Sequence, residues 1–126
     1  MELAYNEISL VYKVVENFNK KSLVATCDAV NSKILEFFLN GDAKDFNEQV
    51  TTSFNSVLFG DKVETSFSGN HSHVEINKET TKISDISFED KYFEIDTKVI
   101  HEIILENYNK CKEFSCSLTK VNASHY

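Results

Sequence analysis

The chain of 126 residues contains no proline, no tryptophan and no arginine, and only three glycines, three cysteines and one methionine. Without arginine there is no planar guanidinium fork, the group that grips phosphate bidentately and reads guanine in a major groove. All thirteen basic residues are lysines, which act as point charges, so sequence-specific base reading is not expected. Glycine at only Gly41, Gly60 and Gly69 leaves no glycine-rich phosphate loop. Cys27, Cys111 and Cys116 are odd in number and lack C-x-x-C spacing, which fits reduced thiols in a cytoplasmic protein better than a disulfide frame. No run of about 18 apolar residues occurs and the first seven residues carry no basic charge, so neither a membrane span nor a secretory leader is expected.

What is present suits one globular domain over residues 1–126, since 41% of the residues are hydrophobic. The net charge is −7, with nine acids against five lysines through Asp61 and eleven against eight beyond it, so no basic half is hidden by the average. The fold class expected is α+β, with N-terminal helices, a three-stranded antiparallel meander and a C-terminal amphipathic helix. Residues 1–41 read as a helical extension, 42–113 as the helix-sheet-helix core and 114–126 as a tail.

The central stretch organises this reading. Val63, Thr65 and Phe67 alternate with Glu64 and Ser66, as a half-buried strand requires, and Ser68-Gly69-Asn70 turns the chain. Val74 and Ile76 alternate with His73, Glu75 and Asn77 before a second polar turn at Lys78-Glu79. Ile83, Ile86 and Phe88 break the alternation by one residue, which predicts a β-bulge, and Glu89-Asp90 supplies a corner. Val99, Ile100, Ile103, Ile104, Asn107, Tyr108 and Cys111 then recur at helical spacing, with Asp96 or Thr97 as N-cap.

In the N-terminal third, Val11, Tyr12, Val15 and Phe18 predict a first helix capped by Asn6, interrupted at residues 17–22. Ser22 or Thr26 would cap a second helix whose face holds Cys27, Val30, Ile34, Phe37 and Phe38, ended by Asn40-Gly41 in a left-handed C-cap. Asp42 would cap a third helix with the stripe Phe46, Val50, Phe54, Val57 and Leu58, ended by Gly60. Cys111, Phe114, Leu118 and Val121 prolong the last helical face, while Phe114, Cys116 and Leu118 also alternate as a strand would; length favours the helix, and residues 123–126 are expected to be disordered.

No pattern of catalytic residues, and no cofactor or metal site, emerges. His71 and His73 would share a strand face near Glu64 or Glu75, but two visible ligands fall short of the four a structural zinc site takes. The run Glu89, Asp90, Glu94 and Asp96 does not follow calcium-loop spacing and reads as a solvated corner. His101 beside Glu102 reads as a surface histidine. A cysteine nucleophile would need a base oriented beside Cys111 or Cys116, and nothing in the spacing orients one. Phe59, Tyr92 and Phe93 fall at element ends, where an exposed aromatic marks an interface.

The order helix, three antiparallel strands, helix over about residues 43–113 resembles the YbaB/EbfC family of nucleoid-associated proteins. The segment from Ile86 through Tyr92, Phe93, Asp96, Val99, Ile100 and Ile104 to Asn109 resembles that family's last strand, acidic corner and apolar helix. Gly69 stands where the family opens its second strand with several glycines, Lys78-Glu79-Thr80 replaces an Asn-Gly turn, and Glu89-Asp90 replaces Asp-Pro. The resemblance implies a homodimer that binds duplex DNA through outward helices; the lack of catalytic motifs, the reduced thiols and the missing arginine add that it would be non-enzymatic, cytoplasmic and without base preference. No DNA-contact residue is carried over from the family; on charge alone, phosphate contacts would come from Lys20, Lys21, Lys33, Lys44, Lys110, Lys112 and Lys120. A small sheet covered by one helix also leaves an apolar face or edge for a second copy to hide. The other expectation is an acidic protein-binding module, such as an inhibitor, an immunity protein or a secretion chaperone, acting on a basic partner protein.

Overall fold

The computed structural model describes residues 2–3, 10–27, 32–88 and 90–123. After the two-residue strand β1 (Glu2–Leu3), the strands β2 (Leu10–Asn17) and β3 (Lys20–Cys27) form an antiparallel hairpin paired from Leu10↔Cys27 to Asn17↔Lys20. This corrects the expected first helix. Val11, Tyr12, Val15 and Phe18 satisfy a helical spacing, but Val11, Val14, Val15, Val24 and Thr26 are β-branched and favour extended backbone. The interruption at Phe18-Asn19 is the hairpin turn, with φ of 51° and 64°, the pair of left-handed residues that a two-residue type I′ turn requires. Residues 22–27 therefore lie in β3 and do not open a helix, so residues 1–41 are not a helical extension.

Helix α1 (Ser32–Asn40) ends at Gly41 as expected, although Gly41 has φ −113° and so makes no left-handed cap. A four-residue turn of helix, α2 (Asp42–Asp45), leads into α3 (Asn47–Leu58), whose Val50, Phe54 and Val57 are fully buried. Asp42 caps neither helix. It is buried, and its carboxylate accepts the backbone N–H groups of Asn70 (3.0 Å), His71 (3.1 Å) and Ser72 (2.8 Å).

The strands β4 (Glu64–Ser68), β5 (Ser72–Asn77), β6 (Thr80–Asp85) and β7 (Tyr92–Asp96) form an antiparallel sheet in that order, and β1 pairs parallel with β7 at the far edge. The expected three-stranded meander is thus one strand short, because Tyr92 and Phe93 open a further strand and do not mark an exposed element end. Phe93 and Ile95 alternate inward, so Phe93, 3% exposed, belongs to the core and not to an interface. The bulge is also absent: β5 and β6 pair without interruption from Ser72↔Asp85 to Ile76↔Thr81, and Ile86 and Phe88 break the alternation because they have left the sheet.

Phe67, Val74, Ile76, Ile83, Phe93 and Ile95 line the inner face of the sheet and meet Leu35, Phe38 and Leu39 of α1, the buried stripe of α3, and Ile100, Ile103 and Ile104 of α4 (Thr97–Ala123). Each such side chain contributes roughly 1.5–3 kcal/mol of burial. Asp96 caps α4 as expected, accepting from the amides of Lys98 (2.9 Å) and Val99 (3.3 Å). Thr97 instead turns inward, its hydroxyl donating to the Asn77 carbonyl at 2.7 Å. The tail expected over 114–126 continues α4 to Ala123; residues 124–126, like Asn6, Val30 and Glu89, lie outside the described residues.

The outer face of the sheet is polar. Ser66, Glu75, Lys82 and Glu94 lie in cross-strand register there, so charges alternate in sign across neighbouring strands. The premise of an apolar sheet face awaiting a second copy therefore fails, and what remains among the described strands is one side each of β1, β2, β3 and β4 without a strand partner.

Replacing Asp42 with Ala leaves three amides of the β4–β5 turn without their acceptor, and should cost about 3 kcal/mol or more. Gly69→Ala should cost a similar amount, because a Cβ at Gly69 would overlap the Asp42 carboxylate. Urea denaturation checks both, with the exposed Asn109→Ala expected within about 0.5 kcal/mol of the parent. An Asp42→Ala variant that matched the Asn109 control would show that this clasp does not hold the turn.

Candidate functional site

Helix α1 carries a wide apolar arc, from Phe37 through Ile34, Phe38 and Leu35 to Leu39, opposite Lys33, Glu36 and Asn40. Leu35, Phe38 and Leu39 face the core, Ile34 packs half-buried at its margin, and Phe37, 63% exposed, points away from it. A surface helix normally pairs its apolar stripe with a polar opposite face. Here the apolar arc extends past the core, and its outer end at Ile34 and Phe37 forms one wall of a groove of about 510 Å³, while the loop after β6 forms the other, with Ile86 and the 56%-exposed Phe88. His71 and Asp85 line the groove between them.

The second wall is held by the backbone. The Ile86 amide donates to the His71 carbonyl (3.0 Å), the Asp85 amide to the Lys91 carbonyl (3.0 Å), and the Lys91 amide to the Phe88 carbonyl (2.9 Å). The Asp85 carboxylate accepts the Ser87 amide at 2.8 Å, and the Lys91 ammonium lies 5.0 Å from the centre of the Phe88 ring. The aromatic is thereby presented on a tight, hydrogen-bonded loop rather than on a free tip. Expectation placed Phe37 with Phe38 on one buried face, but consecutive helix positions differ by about 100° and only Phe38 reaches the core. Sequence reading missed the groove, although two signals point to it: the nearly unbroken apolar run from Ile34 to Leu39, and the lost alternation at Ile86 and Phe88.

The predicted lysines separate into distinct environments. Lys20 and Lys21 are exposed near the hairpin turn. Lys33 is paired with Glu36 at 3.2 Å. Lys44 is half-buried and donates to the Leu23 carbonyl at 2.8 Å, so it is tied to the base of the hairpin. Lys110 lies 5.2 Å from the Tyr12 ring centre, and the exposed Lys112 lines a second cleft together with Lys44. The structure thus brings Lys44, Lys110 and Lys112 to the hairpin base, leaves Lys33 apart, and the side chain of Lys120 lies outside the described residues.

Of the predicted interface aromatics, Phe59 and Tyr92 are exposed and Phe93 is not. Phe59 meets His101 edge-on with ring centres 5.9 Å apart, and the Lys82 ammonium sits 4.5 Å from the Tyr92 ring centre. His71 precedes β5 and lines the groove, while His73, within β5, has Nδ1 2.7 Å from the Ser68 hydroxyl; the two do not form a shared ligand pair on the strand. Among the described residues no group of three or more His, Cys, Asp or Glu side chains is placed to hold a metal ion, and no helix is long and apolar enough to cross a membrane. Comparison of the chain with protein-family models, with curated proteins and with solved structures finds no match.

His101 is half-buried between Phe54 and Phe59, and desolvation lowers its pKa below the ordinary value near 6.5, with the Glu102 carboxylate partly opposing the shift. The folded chain therefore favours the neutral ring, and the unfolded chain binds more protons once pH falls below about 6.5. Stability from this site is complete above that pH and is lost as pH falls toward the lower folded-state value. The denaturation midpoint of the parent should drop between neutral pH and about pH 5, and His101→Phe, which keeps a ring between Phe54 and Phe59, should remove that component. Identical pH profiles for the two proteins would clear His101 of the effect.

Proposed function

We propose that this chain is a non-catalytic, acidic, protein-binding module of the cytoplasm, whose groove between α1 and the β6–β7 loop receives apolar side chains from a basic segment of a partner protein. The observation that carries the reading is the pair Phe37 and Phe88, two large aromatics left exposed on opposite walls of one groove. Apolar side chains gathered in a concave patch with a polar rim mark association sites, and aromatics there contribute most of the affinity. The net charge of −7 favours a cationic partner, steering encounter more than adding affinity.

A synthetic amphipathic peptide of alternating lysine and leucine pairs, and its glutamate counterpart, test this directly. Saturable binding of the lysine peptide is expected. It should weaken about tenfold or more in Phe37→Ser and in Phe88→Ser, both of which should keep the parent's denaturation midpoint, and the glutamate peptide should bind far less. Equal binding by parent and variants removes the groove from the function. Sedimentation of the same proteins addresses the homodimer: a dimer that becomes monomeric in Phe88→Ser would assign the groove to a second copy and overturn the reading of a foreign partner.

A second reading, DNA association of the kind the YbaB/EbfC resemblance implies, is favoured by one feature. The hairpin turn presents Lys20 and Lys21 beside Phe18, which is 95% exposed. A two-stranded ribbon fits the width of a major groove, and ammonium groups on it would contact phosphate without reading bases. If these two lysines each neutralise one phosphate, replacing both with Gln should reduce the slope of log affinity against log salt by about 1.8. A parent chain that fails to shift duplex DNA at low salt ends this reading.

A further inference from the structure

The second cleft, of about 350 Å³, lies between α2 and the middle of α4 and shares no residue with the groove. Ala43 and Ile104 give it apolar walls, Lys44 and Lys112 bring ammonium groups, and no carboxylate lines it. Within a chain of net charge −7, this is a locally cationic hollow. Lys44 uses one ammonium proton on the Leu23 carbonyl and has two more to donate, and neither Lys44 nor Lys112 forms an ion pair among the described residues.

Asn107 supplies the second, independent observation. It is 2% exposed, on the α4 face that otherwise carries Ile100, Ile103 and Ile104, where packing alone would select an aliphatic side chain. Its amide nitrogen donates to the Leu39 carbonyl at 3.2 Å, and since a carbonyl can only accept, this fixes the amide orientation. The carbonyl oxygen Oδ1 is then left buried with no hydrogen-bond partner, on a residue that lines the cleft. Buried acceptors in folded proteins are nearly always paired, so an orphan at the wall of a hollow asks for a donor from outside the chain.

We propose that the cleft binds a small hydroxy- or amino-carboxylate, its carboxylate held by Lys44 and Lys112 and its hydroxyl or ammonium group donating to Asn107 Oδ1. The volume lies near the lower limit of ligand sites and suits a compact metabolite rather than a nucleotide. A lone anion would satisfy the lysines and leave Oδ1 unpaired, whereas a cation or neutral alcohol would leave the ammonium groups uncompensated. Only a molecule carrying both functions answers both.

L-malate, L-aspartate and succinate separate these roles, because succinate keeps both carboxylates and lacks the donor. Each is titrated into the 126-residue chain while its backbone and side-chain amide resonances are followed. Saturable shifts centred on Lys44, Asn107 and Lys112 are expected with malate or aspartate, at least about tenfold tighter than with succinate. Lys112→Gln, at an exposed position with no ion pair among the described residues, should weaken the preferred ligand several-fold without moving the denaturation midpoint. Asn107→Leu, if it folds, should bring malate and succinate to equal affinity. The inference is overturned if none of the three shifts these resonances, if succinate binds as well as the others to the parent, or if the shifts spread over all lysines as nonspecific ion association would.

Discussion

The carboxylate of Asp42 is the fixed point from which the geometry of the groove follows. It takes three consecutive backbone amides, those of Asn70, His71 and Ser72, in the way a bound anion fills a nest of N–H groups. The bond network continues outward. With the His71 backbone set, its carbonyl receives the Ile86 amide, and the loop that bears Phe88 is placed against α1. A turn that would otherwise be a free connection between β4 and β5 is thereby bonded to the start of α2, and the groove has walls of fixed separation. Gly69 belongs to the same arrangement, since only a residue without Cβ leaves room for the carboxylate.

A similar substitution of side chains for backbone holds the hairpin. The edge of β3 that faces away from β2 turns the backbone groups of Leu23, Ala25 and Cys27 outward from the hairpin, and no described strand pairs with it. Asn40 takes the place of a strand there, accepting from the Ala25 amide at 2.9 Å and donating to the Ala25 carbonyl at 2.9 Å. The buried carboxylate of Glu36 accepts the Cys27 amide at 2.7 Å, and Lys44 reaches the Leu23 carbonyl. This accounts for a charged residue in the most apolar helix: Glu36 is satisfied by an amide and by Lys33, so its burial does not leave an uncompensated charge. The hairpin is secured at its base and bare at its turn, which is why Val14, Val15 and Phe18 remain exposed.

Local patterning made the middle of the chain legible. Strands β4 and β5, the stripe of α3, the Asp96 cap and the apolar face of α4 all follow from period and capping chemistry, because each is decided within a few residues. The hairpin was not, since Val11, Tyr12, Val15 and Phe18 satisfy three-residue and four-residue steps by coincidence, and the turn at Phe18-Asn19 lacks the glycine that usually announces a type I′ pair. Strand β7 was obscured because its one fully inward aromatic, Phe93, neighbours the outward Tyr92 and both sit beside an acidic corner. Phe59 and Tyr92 were legible as exposed aromatics; the groove was not, because its walls come from residues about fifty positions apart that only the Asp42 clasp brings together.

The segment 40–44 shows how closely the two hollows are tied to that clasp. Asn40 and Gly41 line the groove, Ala43 and Lys44 line the cleft, and Asp42 between them is bonded into the sheet. The Gly41 amide donates to the Phe37 carbonyl, and the Gly41 carbonyl receives the amides of Lys44 and Asp45, so the backbone of this stretch is bonded in both directions. Few rotatable degrees of freedom are left at the point where the two sites meet. Preorganised walls of this kind lose little entropy on binding, which matters for a groove with two exposed phenylalanines and for a cleft with one orphan acceptor. What α1 and α4 contribute is the chemistry each hollow displays, and what the buried carboxylate contributes is that both are already formed before anything enters them.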